Sequence, residues 1–127
     1  MSDFHLLELF NVPDARGSLT VLQDVLPFNT ARVFWITAAD GSTRGGHRHH
    51  VTRQALVALS GDVNVYMNDG MHSAFIKLDS PSKCLIIEPE DWHTMSFGAN
   101  AVLLVFASHR YDAGDYIDAP YSEEISE

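Results

Sequence analysis

The sequence predicts an all-β fold, a sandwich or small barrel of short strands, on three observations. Turn signals built from Gly, Pro, Asn and Asp recur about every ten residues. No stretch before residue 110 carries the apolar period of a helix, and the apolar runs are short and rich in β-branched and aromatic residues. With 127 residues and 46% hydrophobic content there is enough material for one core and too little for two, so residues 1–127 are expected to form a single domain.

In chain order, Phe4 to Phe10 alternates loosely and reads as a first strand, ended by a Pro13-Asp14 turn and Gly17; Ser18 to Leu22 is a second. After Pro27-Phe28-Asn29, Ala31 to Ala38 (ARVFWITA) is a β-rich segment leading into a Gly41 loop. Gln54 to Leu59 is an uninterrupted β-compatible run closed by Ser60-Gly61. Val63, Val65 and Met67 then alternate with Asn64, Tyr66 and Asn68. Asn68-Asp69-Gly70 signals a hairpin with a type I′ turn, with His72 to Leu78 as the returning strand. Cys84 to Glu88 is a strand ended by Pro89. Trp92 to Phe97 and Ala101 to Ser108 read as a last pair joined across Gly98-Ala99-Asn100. Ala113 to Ile117 can form one helical turn, and 118–127 reads as a mobile acidic tail.

Composition excludes several classes. A net charge of −9 lacks the basic face that nucleic-acid binding requires, and the longest apolar run, Ala101 to Ala107, is far below the ~20 residues of a membrane span. The amino terminus has no basic region followed by an apolar stretch and a small-residue cleavage site, which predicts a cytoplasmic location. Cys84 is the single cysteine, so no intrachain disulfide or multi-cysteine metal site can form; it reads as a small buried apolar residue. Arg32, Arg44, Arg48 and Arg53 are four of the eight basic side chains, and they cluster in sequence around the histidines. In an acidic chain this points to a local pocket for an anion such as a phosphate; the competing reading is arginines paired to surface carboxylates.

The chemistry concentrates between Gly41 and Gly61. In an extended segment His47 and His49 project to one face and Arg48 to the other, so two imidazoles meet the same space. The spacing Gly41-x5-His47-x-His49-x4-Gln54-x6-Gly61 matches the first cupin motif at every position except Gln54, where that motif has Glu. Pro89-Glu90-Asp91-Trp92-His93 resembles the second cupin motif, one residue shorter and with Asp for Gly, and offers His93 as a third side chain. This resemblance implies a double-stranded β-helix, or jelly-roll barrel, with the site at its hollow end. His47, His49 and His93 could form a facial metal set, although Gln54 is a poorer ligand than the usual carboxylate.

A wider resemblance covers nearly the whole chain. Asp14-Ala15-Arg16-Gly17-Ser18-Leu19, Arg32 to Ile36, Arg44 to His49, Gln54, Asp79-Ser80-Pro81, Trp92-His93, and Ala107-Ser108 through Tyr111-Asp112 and Asp115-Tyr116-Ile117 resemble the WxcM-like sugar-nucleotide 3,4-ketoisomerases. That family also has Gln at the position of Gln54. The resemblance implies a metal-free, cofactor-free homodimer acting on dTDP-4-keto-6-deoxyglucose, in deoxysugar and surface-polysaccharide synthesis. It implies His49 as the main proton shuttle, with His47 as its partner or as the ligand of the oxyanion. Arg44 would stabilise the developing charge or hold the pyrophosphate. Arg16, Arg32, Trp35, Gln54 and His93 would contact substrate, Arg16 and His93 helping to set which face of C4 is protonated. Trp35 either stacks on thymine or packs in the core. The family strand often offers a tyrosine where this chain has Phe34-Trp35, so no phenol is expected there. Two other functions compete: a metal-dependent, dioxygenase-like cupin using His47, His49 and His93, and a non-catalytic sugar-nucleotide-binding cupin.

Overall fold

The computed structural model describes residues 4–121. Its strands are β1 (Leu6–Glu8), β2 (Phe10–Asp14), β3 (Gly17–Val21), β4 (Arg32–Thr37), β5 (Thr43–His49), β6 (Gln54–Ser60), β7 (Val63–Asn68), β8 (Ser73–Leu78), β9 (Lys83–Ile87), β10 (Trp92–Phe97), β11 (Val102–Ala107) and β12 (Tyr116–Ile117). One 3₁₀ turn, Ala113–Asp115, precedes β12. Two five-stranded antiparallel sheets result, in the orders β1-β9-β6-β11-β4 and β12-β5-β10-β7-β8, and β2-β3 stands as a separate hairpin. This is the jelly-roll arrangement that the histidine motif implied.

The core explains why β6 is apolar at consecutive positions. Leu56 and Ala58 point between the sheets, where they meet Val63, Val65, Met67, Leu85 and Leu103. Ala55 and Val57 point the other way, into a second cluster with Leu9, Cys84 and Ile86, covered by Leu22, Leu26 and Phe28 from the amino-terminal segment. A strand buried on both faces loses the alternation of a half-exposed one. Each fully buried Leu, Ile or Met side chain contributes about 1.5–3 kcal/mol, so these two layers dominate the stability. Cys84 is a free buried thiol, as expected, and burial pushes its pKa up to about 11, which makes it inert.

Several local expectations are corrected. The first strand splits into β1 and β2, and Pro13-Asp14 lies inside β2; the turn is Ala15-Arg16, closed by the Asp14↔Gly17 pair and by Arg16 N–H donating to the Asp14 carboxylate at 2.8 Å. Proline is tolerated because, among the described residues, β2 has no second neighbour to receive an N–H bond. The β7–β8 hairpin forms in register, but its loop is four residues, Asp69 to His72, not a two-residue type I′ turn. Only Gly70 has positive φ there, and the Asn68 and Asp69 side chains cap the loop amides. β10 and β11, adjacent in sequence, do not pair: they lie in opposite sheets, and each pairs with strands distant in the chain. Of the region read as a tail, 118–121 carries contacts described below, and 122–127 lies outside the described residues.

One irregularity positions the site. β5 pairs with β10 through Met95↔Arg44, Thr94↔Gly45 and His93↔His47, leaving Gly46 unpaired as a bulge. Facing residues in an antiparallel pair share a side, so the bulge puts Arg44 on the same face as His47. Strict alternation would have sent it to the opposite face. The bulge needs glycine: Gly45 has φ +93°, and a Cβ there would lie 2.8 Å from the His93 carbonyl oxygen and 3.2 Å from Thr94 Cα. Gly45→Ala is therefore expected to destabilise the fold by roughly 1–3 kcal/mol, read as a lower urea midpoint at unchanged slope.

Candidate active site

The end of β5, the start of β10 and the short strand β12 bring three imidazoles and a phenol together. The His47 ring stands 5.2 Å from that of His49 and 5.2 Å from that of His93, and the His49 and His93 rings stack at 6.4 Å. Tyr116, paired in register with His49, sets its ring 4.7 Å from His47 and 4.6 Å from His49. Beside them is a cavity of about 170 Å³, walled by Phe34, Ile36, Arg44, His47, Gln54, His93 and Tyr116 among others. His49 is more enclosed than His47, at 3% exposure.

The orientation of His49 is fixed by Asp115. Its Nδ1 lies 2.9 Å from Asp115 Oδ2. The same carboxylate accepts the amides of Val51 at 2.8 Å and His50 at 3.1 Å, and the Thr52 hydroxyl donates to it. Burial alone would raise the Asp115 carboxyl, but bonds from Thr52, Val51 and His49 outweigh it and hold its pKa down at about 2. An ionised carboxylate can only accept, so His49 carries its proton on Nδ1. That leaves Nε2 as a lone pair, buried and with no hydrogen-bond partner among the described residues. His93 is arranged alike: Nδ1 donates to the Asp91 carbonyl at 3.0 Å.

All three imidazoles are biased to the neutral form. Burial pushes His49 below its ordinary value; Asp115 opposes this, and nearby Arg32 reinforces it. His47 is lowered by burial first and by His49 second, against a weak opposing pull from Asp118. Burial drives His93 down to about 4. At neutral pH the site thus holds unprotonated imidazole nitrogens suited to accept a proton.

The arginines separate by their partners. Arg53 grips Glu88 with two bonds of 2.8 Å and the Pro27 carbonyl at 2.7 Å, a structural clamp. Arg48 lies over the Tyr121 ring at 4.2 Å and bonds to Tyr121 and Ala119, holding the chain after β12 in place; Trp92 Nε1 also donates to the Asp118 carbonyl. Arg32 lies over the Phe34 ring at 4.8 Å and near that of Tyr111 at 5.6 Å. Arg44 alone of the four lines the cavity, with no ion pair among the described residues. The paired-arginine reading holds for Arg53, and the anion-pocket reading is open to Arg44.

The remaining expected residues divide. Gln54, 5% exposed, projects into the cavity. Trp35 is 66% exposed on the outer face of β4, neither in the core nor on the cavity wall; its neighbours Phe34 and Ile36 point inward instead. Arg16 sits on the β2–β3 turn, paired with Asp14 and outside the cavity of this chain. Asp115, Thr52 and Tyr116 were assigned no role by sequence. No local spacing links residue 115 to residue 49, and only the run Asp115-Tyr116-Ile117 hinted at them. A larger open groove of about 680 Å³ borders Asp115 together with His50, Thr52 and His109, but the three facing imidazoles are not on its wall. Among the described residues no group of three or more His, Cys, Asp or Glu side chains converges as metal ligands do.

The two sheets and the histidines at the end of β5 and start of β10 define a cupin with an imidazole cluster in its hollow. The chain belongs to the FdtA family, described as WxcM-like, C-terminal, whose sequence model matches residues 2–124. It is 40% identical over 108 residues, 82% of this chain and 78% of the relative, to a TDP-4-oxo-6-deoxy-α-D-glucose-3,4-oxoisomerase of Aneurinibacillus thermoaerophilus. Among solved structures it resembles a histidine-to-asparagine mutant of the 3,4-ketoisomerase QdtA from Thermoanaerobacterium thermosaccharolyticum in complex with TDP-4-keto-6-deoxyglucose. That match has a TM-score of 0.87 and 34% identity, over 94% of this chain and 89% of that one. The TDP-quinovose 3,4-ketoisomerase WlaRB of Campylobacter jejuni matches with a TM-score of 0.87 and 36% identity, over 94% and 95% of the two chains.

The electrostatics fix how stability depends on pH. His93 titrates at about 4 folded against 6.5 unfolded, so the folded state binds fewer protons between these values. Its contribution is present above pH 6.5 and is lost as the pH falls towards 4, by roughly 2–3 kcal/mol. Asp115 adds a second loss between 3.8 and about 2. Urea midpoints measured from pH 7 to pH 4 are expected to fall throughout that window, and His93→Gln should flatten the decline. In Asp115→Asn the carboxylate that raises His49 is gone, so its imidazole should titrate lower still by NMR.

Proposed function

We propose that this chain is an isomerase that moves the keto group of a TDP-4-keto-6-deoxyhexose from C4 to C3. The observation that carries the reading is His49: Nδ1–H locked on an ionised carboxylate, and Nε2 buried without a hydrogen-bond partner among the described residues, its ring packed against that of His47, which lines the cavity. The C3 hydrogen is acidic because it is α to the C4 ketone. A neutral imidazole can remove it, giving an enediolate, and can return the proton at C4. His47 and His93 stand close enough to share these transfers, and His47 can instead support the oxyanion. Arg44, the cavity cation without an ion pair, offsets the charge that develops on O4. Gln54 in place of a carboxylate keeps the hollow free of an anion that would repel the enediolate. Similarity to named TDP-sugar ketoisomerases supports this substrate class.

The metal-dependent alternative has less support because no three His, Cys, Asp or Glu side chains among the described residues converge as metal ligands do; the Nδ1 bonds of His49 and His93 fit either reading. A homodimer fits the outer surface. Phe10, Val12 and Leu19 on the β2–β3 hairpin and Val33 and Trp35 on β4 are exposed apolar residues, and a partner would cover them. Arg16 would then act, if it contacts substrate, on the partner's site. A cytoplasmic location accords with a nucleotide-activated substrate and a reduced Cys84.

Incubated with TDP-4-keto-6-deoxyglucose in D2O and followed by NMR, the protein should form a 3-keto product, carrying deuterium at C4 to the extent that the imidazolium exchanges with solvent before it returns its proton; no product and no exchange would overturn the proposal. His49→Asn should lower kcat by at least ~100-fold with little change in Tm. Chelation should leave kcat unchanged. Light scattering is expected to give twice the chain mass, and Trp35→Glu should shift it towards the monomer.

A further inference from the structure

Isomerisation moves two protons, and the histidines account for one. One hydrogen travels from C3 to C4, carried by imidazole. A second must leave the O3 hydroxyl and arrive on O4, because the C4 carbonyl becomes a hydroxyl while the C3 hydroxyl becomes a carbonyl. The group that moves it must donate one proton and accept another within the same cavity.

The cavity wall narrows the choice. Phe34, Ile36, Leu56, Met95 and Val105 have no proton to give. The Gln54 amide does not pass protons, the Arg44 guanidinium does not give one up, and the imidazoles of His47 and His93, which also line the cavity, are assigned with His49 to the carbon-bound proton and the oxyanion. Tyr116 is the one hydroxyl-bearing side chain among the described residues lining the cavity. Its ring lies against both His47 and His49, so it borders the place where the reacting carbons must sit. Its hydroxyl makes no hydrogen bond among the described residues, and it is therefore uncommitted. Its backbone is held by the pairing with His49 and by the anchored Asp115 immediately before it.

We propose that Tyr116 is a further catalytic residue, which relays the hydroxyl proton from O3 to O4 while imidazole relays the carbon-bound one. The inference rests on the ketoisomerase reading. In the first half-reaction the C3–H pair forms C3=C4, the carbonyl π pair moves to O4, and O4 takes the phenolic proton. In the second, the O3–H bond breaks, its pair forms C3=O, and the C3=C4 pair takes the proton that imidazolium returns at C4. The O3 proton restores the phenol. Bonds and charges balance without any other reactant. β4, which presents Phe34 to the cavity, contributes no hydroxyl, so in this chain the phenol comes from β12.

Tyr116→Phe removes the hydroxyl and keeps the ring that packs on the histidines. Assayed against the wild-type protein with TDP-4-keto-6-deoxyglucose, it should lower kcat by ~100-fold or more with KM within about threefold and Tm unchanged. Tyr111→Phe is the control, because that exposed phenol lies outside the cavity; it should retain full activity. A Tyr116→Phe protein with kcat within about threefold of wild type would overturn the relay, as would an equal loss in Tyr111→Phe. A wild-type protein that gives neither product nor deuterium exchange would instead refute the ketoisomerase reading itself. If Tyr116→Phe lowers Tm markedly, the D2O experiment on that variant decides. Exchange and product both falling far below the folded fraction supports the relay, and exchange and product falling only in parallel with folded fraction overturns it.

Discussion

The structure at the histidines depends on one buried anion. Asp115 is 7% exposed, and a carboxylate removed from water is costly unless each lone pair is occupied. Here the amides of His50 and Val51, the Thr52 hydroxyl and His49 Nδ1 occupy them. The anion therefore folds the segment after β5 around itself, docks the chain before β12, and decides which nitrogen of His49 is free. A single set of bonds joins residues 49–52 to residue 115 and makes structural order and proton chemistry the same requirement.

The second constraint is geometric. The proposed proton transfer calls for imidazoles and a cation on one side of a sheet. β5 achieves this by breaking its own alternation: the unpaired Gly46 shifts Arg44 onto the face of His47 and His49. The close backbone approach at Gly45 is what the strand tolerates to do so. Burial completes the arrangement by keeping the three imidazoles unprotonated in a protein whose net charge of −9 would otherwise favour their protonation.

A cavity of about 170 Å³ is small compared with a whole sugar nucleotide, since sites for drug-sized ligands run to several hundred Å³. It has room for a hexose ring and not for the whole nucleotide. The chain following β12 is fastened by Arg48, Tyr121 and Trp92. Two of the arginines that cluster in sequence thus serve as fasteners, Arg48 here and Arg53 against Glu88, and their proximity along the chain did not reveal this.

Much of the fold was legible in the sequence. β-rich runs, Gly and Asp turns and the His-x-His spacing are local signals, set by backbone sterics and by a two-residue period that each segment expresses by itself. They gave the strands, the β7–β8 hairpin, and the shared face of His47 and His49. The errors arose where geometry is set by partners. Adjacent strands β10 and β11 went to opposite sheets, and Trp35 turned out of the core with Phe34 and Ile36 on the inner face of β4; the bulge that brings Arg44 to the cavity, where the resemblance had placed it, had no local signal either. Asp115 and Tyr116 had no local pattern to announce them, being 66 and 67 residues from His49 and brought to it only by the β12–β5 pairing. The sequence by itself determined which side chains could perform proton transfer. Tertiary structure decided which of them meet, because burial, tautomer and shared faces are properties of contacts between distant segments.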